Sequence, residues 1–562
     1  MTDSAPTPTR TRTLSPAASP VAPAARPPGA VPAEGELPVR VFWGGIGACA
    51  LGVAGFVLAQ LYAWPPHEDE TLALFVGRHS LGDLLEIVLG RRGGAPLHFL
   101  LSFVVVHLGG GLGALRLLSA LFAVASVPLV GLIGARLAGR TAGLAAAALA
   151  SASWVLLFHG VYGRMYSLFL FTSALSYLAL LRALENGSLP RWTLWGLAIV
   201  ATVATHPYGA LVLASQGLFV LLRLRGTRLR EAVAATAVVG LVCIPFWRTD
   251  LVLAGRFDVG VAGRGQKLGG PLPVLRYLRT VAGDFSVGYG AVLVVVLALA
   301  AFGLVELART RRSSAILVGV VFVTPTAMFL VASFGSQTSP ESRHLIFALP
   351  FFSTLLGAAL VRLGRLRHRA APALAVTALA ALLALEVAWG NHKTPLLFSG
   401  EPPARVHARD AASSWLAATG RPADVLFGYD PLYLGAWERD RVSSQPVVPR
   451  ADPKLALAAL ESARKPLGRG VWVFDASDTN NYDQKLTIPL RLPSPQAAFE
   501  ARVFGPFLVI RTRRPTQTIP QYLERALAVE ALGQQLFIGD ADVNVDTIRR
   551  AAKRYGVLPP AR

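Results

Sequence analysis

The sequence predicts a polytopic α-helical membrane protein with a soluble α/β domain after its last span. The first observation is compositional: 53% of the 562 residues are hydrophobic and 15% are charged, with a mean hydropathy of +0.49, unlike a water-soluble multidomain chain. The second is segmental, because apolar runs near the roughly 17–25 residues of a bilayer crossing recur between residues 41 and 390. The third is a change of pattern after Gly390, where short helix-like and strand-like periods alternate.

Taken in order, residues 1–40 are rich in Pro, Ala, Ser and Thr, carry Arg10, Arg12, Arg26 and Arg40, and lack the apolar run of a signal peptide. They are predicted to be a disordered basic tail on the cytoplasmic side. The spans follow at 41–63, 113–136, 141–159, 166–184, 192–205, 209–222, 231–247, 287–307, 314–334, 344–363 and 371–390. The stretch 96–108 is short and begins with Pro. If it lies along the surface, the clusters at Arg136 and Arg140, Arg182 and Arg191, Arg223 to Arg230, Arg309 to Arg312 and Arg362 to Arg369 all face the cytoplasm. If it crossed, all would face outward. The expected transmembrane domain is therefore 41–390, with eleven spans and interfacial helices within 71–108.

The C-terminus then lies outside, and 391–562 form an extracytoplasmic α/β domain with strands expected at 424–429, 470–474 and 507–511 and helices at 403–418, 451–464 and 521–534. The net charge of +21 is spread over the basic clusters between spans, so it marks topology and not a nucleic-acid face. Cys49 and Cys243 both lie in apolar runs, which supports neither a disulfide framework nor a Cys metal site.

On this topology the outward loops collect His67, Glu68, Asp69 and Glu70, then Arg164, then His206 and Tyr208, the loop 248–285, and finally Glu341, Arg343 and His344. Ionisable groups at membrane depth are costly unless they face a cavity, partner or substrate. Their convergence on one face was not used to choose the topology and so supports a site there. Each has a plainer reading: the acids complement a helix N-terminus, Arg164 and Arg343 anchor helix ends by snorkelling, His206 caps a helix, and Tyr166 packs at the interface.

The run Asp69-Glu70, Gly94-Ala95-Pro96-Leu97-His98-Phe99-Leu100, Leu115-Arg116-Leu117-Leu118-Ser119-Ala120-Leu121-Phe122, Gly139-Arg140-Thr141-Ala142-Gly143 and Tyr162-Gly163-Arg164-Met165-Tyr166-Ser167-Leu168 resembles the polyprenyl-phosphate-sugar glycosyltransferases of the GT-C fold. That superfamily includes the protein O-mannosyltransferases and the lipid A aminoarabinose transferases. Glu341-Ser342-Arg343-His344 before an apolar helix resembles a later feature of it. The chain departs in having Ala95-Pro96 where the family often shows two prolines, and His98 and His344 where it often shows Tyr.

The resemblance implies that Asp69 is the catalytic base, with Glu70 in support. The chemistry is intelligible on its own terms: an acceptor hydroxyl loses its proton as it attacks the anomeric carbon, and a carboxylate within hydrogen-bond reach takes it. The departing lipid phosphate needs cationic donors, which points to Arg164 and Arg343, with His206 beside them. Tyr166, Tyr208, His98 and Glu341 are assigned to substrate contacts. A divalent metal stays open, but His67, Glu68 and His98 lack close ligand spacing such as His-x-x-x-His, so no ligand set is assigned.

The expected activity is transfer of a hexose or pentose, mannose-like or otherwise, from a polyprenyl-phosphate donor to a lipid, polysaccharide or protein acceptor at the outer face of the cell membrane. The expected partners are that donor, the acceptor and membrane lipids, and not nucleic acid. The alternative is a transporter or flippase of a lipid or small anion, which would place its charges near the midplane.

Overall fold

The computed structural model describes residues 36–257, 268, 270–332, 340–439, 445–449, 453–475, 492–536 and 541–558. The expected tail therefore lies, up to residue 35, outside the described residues, as does the middle of the loop 248–285. The first helix, α1 (Val39–Ala59), buries one stripe of Phe42, Ile46, Val53 and Val57. The rest of it is apolar and open, with Leu51 74% exposed. Such a surface is the reverse of a water-soluble helix and suits lipid.

Three short elements follow. They are α2 (Glu68–Gly77), α3 (Leu81–Leu85), which runs into a π-helical turn at Glu86–Arg92, and α4 (Pro96–His107). At 12 residues, about 18 Å, α4 is too short to cross hydrocarbon. Gly93, Gly94 and Ala95 precede it with φ of 74°, 70° and 50°. A Cβ on Gly93 would lie 2.3 Å from the Thr249 carbonyl, so this loop is pressed against a later helix and needs glycine on both counts.

The bundle continues with α5 (Leu112–Ala138), α6 (Arg140–Ala152), α7 (Trp154–Val161), α8 (Met165–Asn186), α9 (Leu189–Thr205), α10 (Gly209–Arg223), α11 (Gly226–Val242) and α12 (Ile244–Phe257). After α13 (Pro271–Phe285) come α14 (Gly290–Thr310), α15 (Arg312–Ala332), a 3-10 turn at Ser342–Ala348 leading into α16 (Leu349–Gly364), and α17 (Ala371–Lys393). The pair α6 and α7 is bent by 54° at Ser153, whose extended backbone breaks the helix and whose hydroxyl donates to the Asp284 carbonyl at 3.2 Å.

Among the described residues, seven helices are long and apolar enough to cross a membrane, and nine if α6 with α7 and α11 with α12 each form one span. At 17 and 15 residues, α9 and α10 are shorter, so length and composition support fewer crossings than the eleven expected. One end of the bundle gathers basic clusters: Arg136 pairs with Glu185 at 2.8 Å, Arg311 donates to the Arg136 carbonyl, and Arg223 donates to Ser313. The opposite end of α5 carries Arg116 and meets α2.

Beyond α17 lie α18 (Leu396–Ser399), α19 (Pro403–Thr419), β1 (Val425–Phe427), α20 (Pro431–Glu438), β2 (Val447–Val448), α21 (Pro453–Ser462), β3 (Gly470–Asp475), β4 (Phe499–Phe504), β5 (Phe507–Thr512), α22 (Ile519–Leu536) and α23 (Ala541–Arg554). The strands form one sheet in the order β2-β1-β3-β5-β4, with β1 parallel to β2 and β3, and β5 antiparallel to β3 and β4. Alternation sends Trp472 of β3 to the face covered by Tyr522 and Leu523. Val471 and Val473 go to the other face, where Leu416, Tyr433 and Phe75 of α2 pack. The helix that starts with the acidic run thus packs into the sheet domain's core through Phe75 and, through Leu74 and Val76, against α4.

Candidate active site

The residues His67-Glu68-Asp69-Glu70 open α2 as a capping box: His67 Nδ1 accepts from the Asp69 N–H at 3.1 Å, and the His67 N–H donates to Glu70 Oε2 at 2.9 Å. The reciprocal pattern recurs where the Glu341 N–H donates to His344 Nδ1 at 3.1 Å. Both acidic loops are therefore closed by a His and a Glu three residues apart.

Glu70 is fully buried. Its Oε1 accepts from Arg116 Nε at 2.8 Å and from the Gly163 N–H at 2.6 Å, while Oε2 also accepts from Arg116 at 2.8 Å. Arg116 spends its remaining donors on the carbonyls of Leu61, Trp64 and Pro65 at 2.9–3.0 Å, so all five N–H groups of the fork are used. With its oxygens filled and no exposure, Glu70 is placed to hold the loop beneath Asp69.

Asp69 differs. Its side chain is 41% exposed and pairs with Arg164, which is 4% exposed. Burial favours the neutral acid, but Arg164, then His67 and Arg343, outweigh it and hold the Asp69 carboxyl below the usual carboxylate range. His67, whose Nδ1 is already an acceptor, is pushed down to about 4 by burial and then by Arg164. The loop is thus held with an ionised Asp69 beside a neutral His67.

Two guanidiniums lie over the Tyr166 ring, Arg164 at 5.1 Å and Arg343 at 5.2 Å from its centroid. Arg343 pairs with Glu341 at 2.5 Å. Around Tyr166 stand His206 at 5.6 Å and His344 at 6.1 Å, and Tyr208 stacks on His344 at 5.0 Å. The Tyr208 N–H donates to His206 Nδ1 at 3.1 Å, so His206 caps its own loop as well as facing Tyr166. His98 lines a narrow crevice with Gly163, Arg164 and Leu115. The structure therefore brings all nine residues singled out by sequence to one end of the bundle.

Four more belong there and were not assigned roles. Arg116 is one, and its signal was an arginine near the start of an apolar span. Gly163 is a second: a Cβ there would lie 2.7 Å from Leu115. Arg92, over the Phe99 ring at 4.6 Å, adds to the positive potential on Asp69. His159, with both ring nitrogens buried and without a hydrogen-bond partner, lies 4.8 Å from Tyr166. Among the described residues, no group of three or more His, Cys, Asp or Glu side chains is placed to hold a metal ion.

The His67 cap makes a pH prediction. A histidine whose pKa falls on folding, from 6.5 to about 4, leaves full stability above the unfolded value and withdraws it as pH drops from 6.5 towards 4. His67→Asn keeps an acceptor at the cap and removes the titration. Thermal unfolding of the variant in detergent should depend less on pH across that window than the wild type; identical slopes would remove His67 as the cause.

No protein-family model matches the chain, and no curated protein matches it in sequence. Solved structures do. ArnT from Cupriavidus metallidurans bound to undecaprenyl phosphate is similar with a TM-score of 0.52 at 14% identity, over 84% of this chain and 98% of that one. Archaeal oligosaccharyltransferase AglB from Archaeoglobus fulgidus, in complex with an inhibitory peptide and a dolichol-phosphate, is similar with a TM-score of 0.50 at 11% identity, over 78% of this chain and 69% of that one. The chain is thus a polytopic α-helical membrane protein with the GT-C fold, its sheet domain set against the helix that carries Asp69.

Proposed function

We propose that the chain is a membrane glycosyltransferase that moves a sugar from a polyprenyl-phosphate carrier to an acceptor hydroxyl, with Asp69 as base. The observation that carries this reading is the pairing of an accessible carboxylate, Asp69, with a buried guanidinium, Arg164, at one end of an apolar bundle. In the reaction the acceptor oxygen bonds to the anomeric carbon as its proton passes to Asp69. The bond from that carbon to the phosphate oxygen breaks, and the polyprenyl phosphate leaves with the electron pair. A single displacement of this kind inverts the anomeric centre. Arg164 and Arg343, both close to the Tyr166 ring, hold the leaving phosphate.

The Asp69–Arg164 pair supplies an order of events. A donor phosphate competes with Asp69 for Arg164, and as Arg164 turns to it, Asp69 loses its counterion and becomes a stronger base. The narrow crevice beside His98 is lined further by Leu101, Leu118 and Phe122, and Leu121 of α5 is exposed, so an apolar surface suited to the carrier chain adjoins the site. Nucleotide sugars are cytoplasmic, so a lipid-linked donor fits a site facing outward, the sidedness that the positive-inside pattern favours. The mechanism needs the acceptor only as a hydroxyl and any sugar that the carrier delivers.

The test is transfer by the purified chain in lipid nanodiscs, offered a mixture of polyprenyl-phosphate sugars and membrane extract, with loss of each donor followed by mass spectrometry. Consumption of a donor by the wild type but not by Asp69→Asn supports the reading and names the sugar. Movement of labelled lipid across the bilayer with no donor consumed would overturn it in favour of a transporter. Arg343→Gln is expected to raise the donor KM by about tenfold, the loss of one charge-assisted hydrogen bond, with a smaller change in kcat.

A further inference from the structure

The helix α13 presents two opposite faces. On one, the Tyr277 hydroxyl donates to the Glu341 carbonyl at 3.0 Å, which ties α13 to the turn that carries Arg343. On the other, Leu272, Leu275, Arg276 and Arg279 recur at i, i+3, i+4 and i+7, all exposed, the leucines by 57% and 60%. Arg276 and Arg279 line a cavity of about 740 Å³ whose far wall is the end of α17, with Trp389, His392 and Lys393, and whose floor includes Asp284.

The charges in this cavity do not balance. Lys393 is paired with the buried carboxylate of Asp284, whereas neither Arg276 nor Arg279 has an ion pair among the described residues. Two guanidiniums one turn apart repel each other, and a shared anion removes that repulsion. The surroundings add a second requirement. Trp389 packs edge-on to Tyr289 at 5.3 Å and lies where a Cβ on Gly288 would be, forming an aromatic pair of the kind that sits at headgroup level. Leu272 and Leu275 offer an apolar contact beside the cations.

We infer that this cavity binds the phosphate headgroup of an anionic lipid, at a place distinct from the Asp69–Arg164 centre. The phosphate lies between Arg276 and Arg279, and an acyl chain runs along Leu272 and Leu275. The occupant lies in the space between α13 and the end of α17, and both of these walls back the candidate active site. Tyr277 holds the Glu341 turn. Lys393 lies 3.6 Å over the Trp154 ring, which meets His159 and through it Tyr166.

The test is native mass spectrometry of the full chain released from detergent with equal amounts of palmitoyl-oleoyl phosphatidylglycerol and phosphatidylcholine. The wild type is expected to retain phosphatidylglycerol about tenfold in preference, Arg276→Gln/Arg279→Gln to lose that preference, and Arg276→Lys/Arg279→Lys to keep most of it, the contribution expected of two surface cations. Equal retention of the two lipids by the wild type, or an unchanged preference in the glutamine variant, would overturn the inference. Displacement of the lipid by millimolar inorganic phosphate would also overturn it and assign the cavity to a soluble anion. The readout is binding, so it stands or falls separately from the glycosyltransferase reading.

Discussion

Asp69→Asn is expected to lower turnover at saturating donor by roughly 10²- to 10⁴-fold, the usual contribution of a positioned general base. The substitution is nearly isosteric and Asp69 is accessible to water, so the chain should fold and still bind donor. Turnover within tenfold of the wild type would remove Asp69 from the role. The pH profile adds a readout that a structural role would not move. Arg164 holds the Asp69 carboxyl low, so the acidic limb of kcat/KM, which reports the free protein, should lie below the ordinary carboxylate range. The limb of kcat should lie higher, because donor phosphate then engages Arg164. Arg164→Gln removes the cation that favours the carboxylate and should move the kcat/KM limb upward.

Arg116→Met is expected to destabilise the chain by about 3–5 kcal/mol, the effect of removing one member of a buried ion pair. Glu70 would keep only the His67 and Gly163 N–H groups, and the carbonyls of Leu61, Trp64 and Pro65 would lose their donor. Pairing it with Glu70→Leu removes the stranded charge and should restore part of the loss. Thermal unfolding in detergent distinguishes the cases; an Arg116→Met transition at the wild-type temperature would show that the network does not hold the loop. The comparison separates the neighbouring acids, because Asp69→Asn should affect turnover far more than stability and Arg116→Met the reverse.

The sequence made the membrane helices and the gathering of the candidate residues at one end of the bundle legible for separate reasons. Apolar runs and arginine clusters are long, redundant signals, and α1, α5, α8 and α14 to α17 follow the expected segments to within a few residues. Asp69, Arg164 and Arg343 stood out because charged residues at that face run against the bias of the chain. In the sheet domain the buried strands β1, β3 and β5 showed as apolar runs. By contrast, β2 has two residues, and β4 alternates Glu500 and Arg502 with apolar neighbours, a pattern that a surface loop shares. The role of Glu70 was not legible, because its partners Arg116 and Gly163 are 46 and 93 residues away. One-dimensional spacing does not report which of two adjacent carboxylates faces inward. The second cationic cavity was hidden for a similar reason, since Arg276 and Lys393, 117 residues apart in sequence, line one cavity only in the folded chain.

Glu70 and Asp69 are consecutive in the chain, and so are Gly163 and Arg164. Glu70 and Gly163 meet inside as carboxylate and backbone amide, and Asp69 and Arg164 meet above them as an ion pair between an accessible carboxylate and a buried guanidinium. The two loops are therefore joined like a hem with stitching below and trim above. Because the stitching uses a main-chain N–H, and the fork of Arg116 is already filled, the register of the loops does not depend on what the upper residues are. Diversification of donor or acceptor preference can proceed at exposed residues around Asp69 and Arg164 while the seam beneath them keeps the loops aligned.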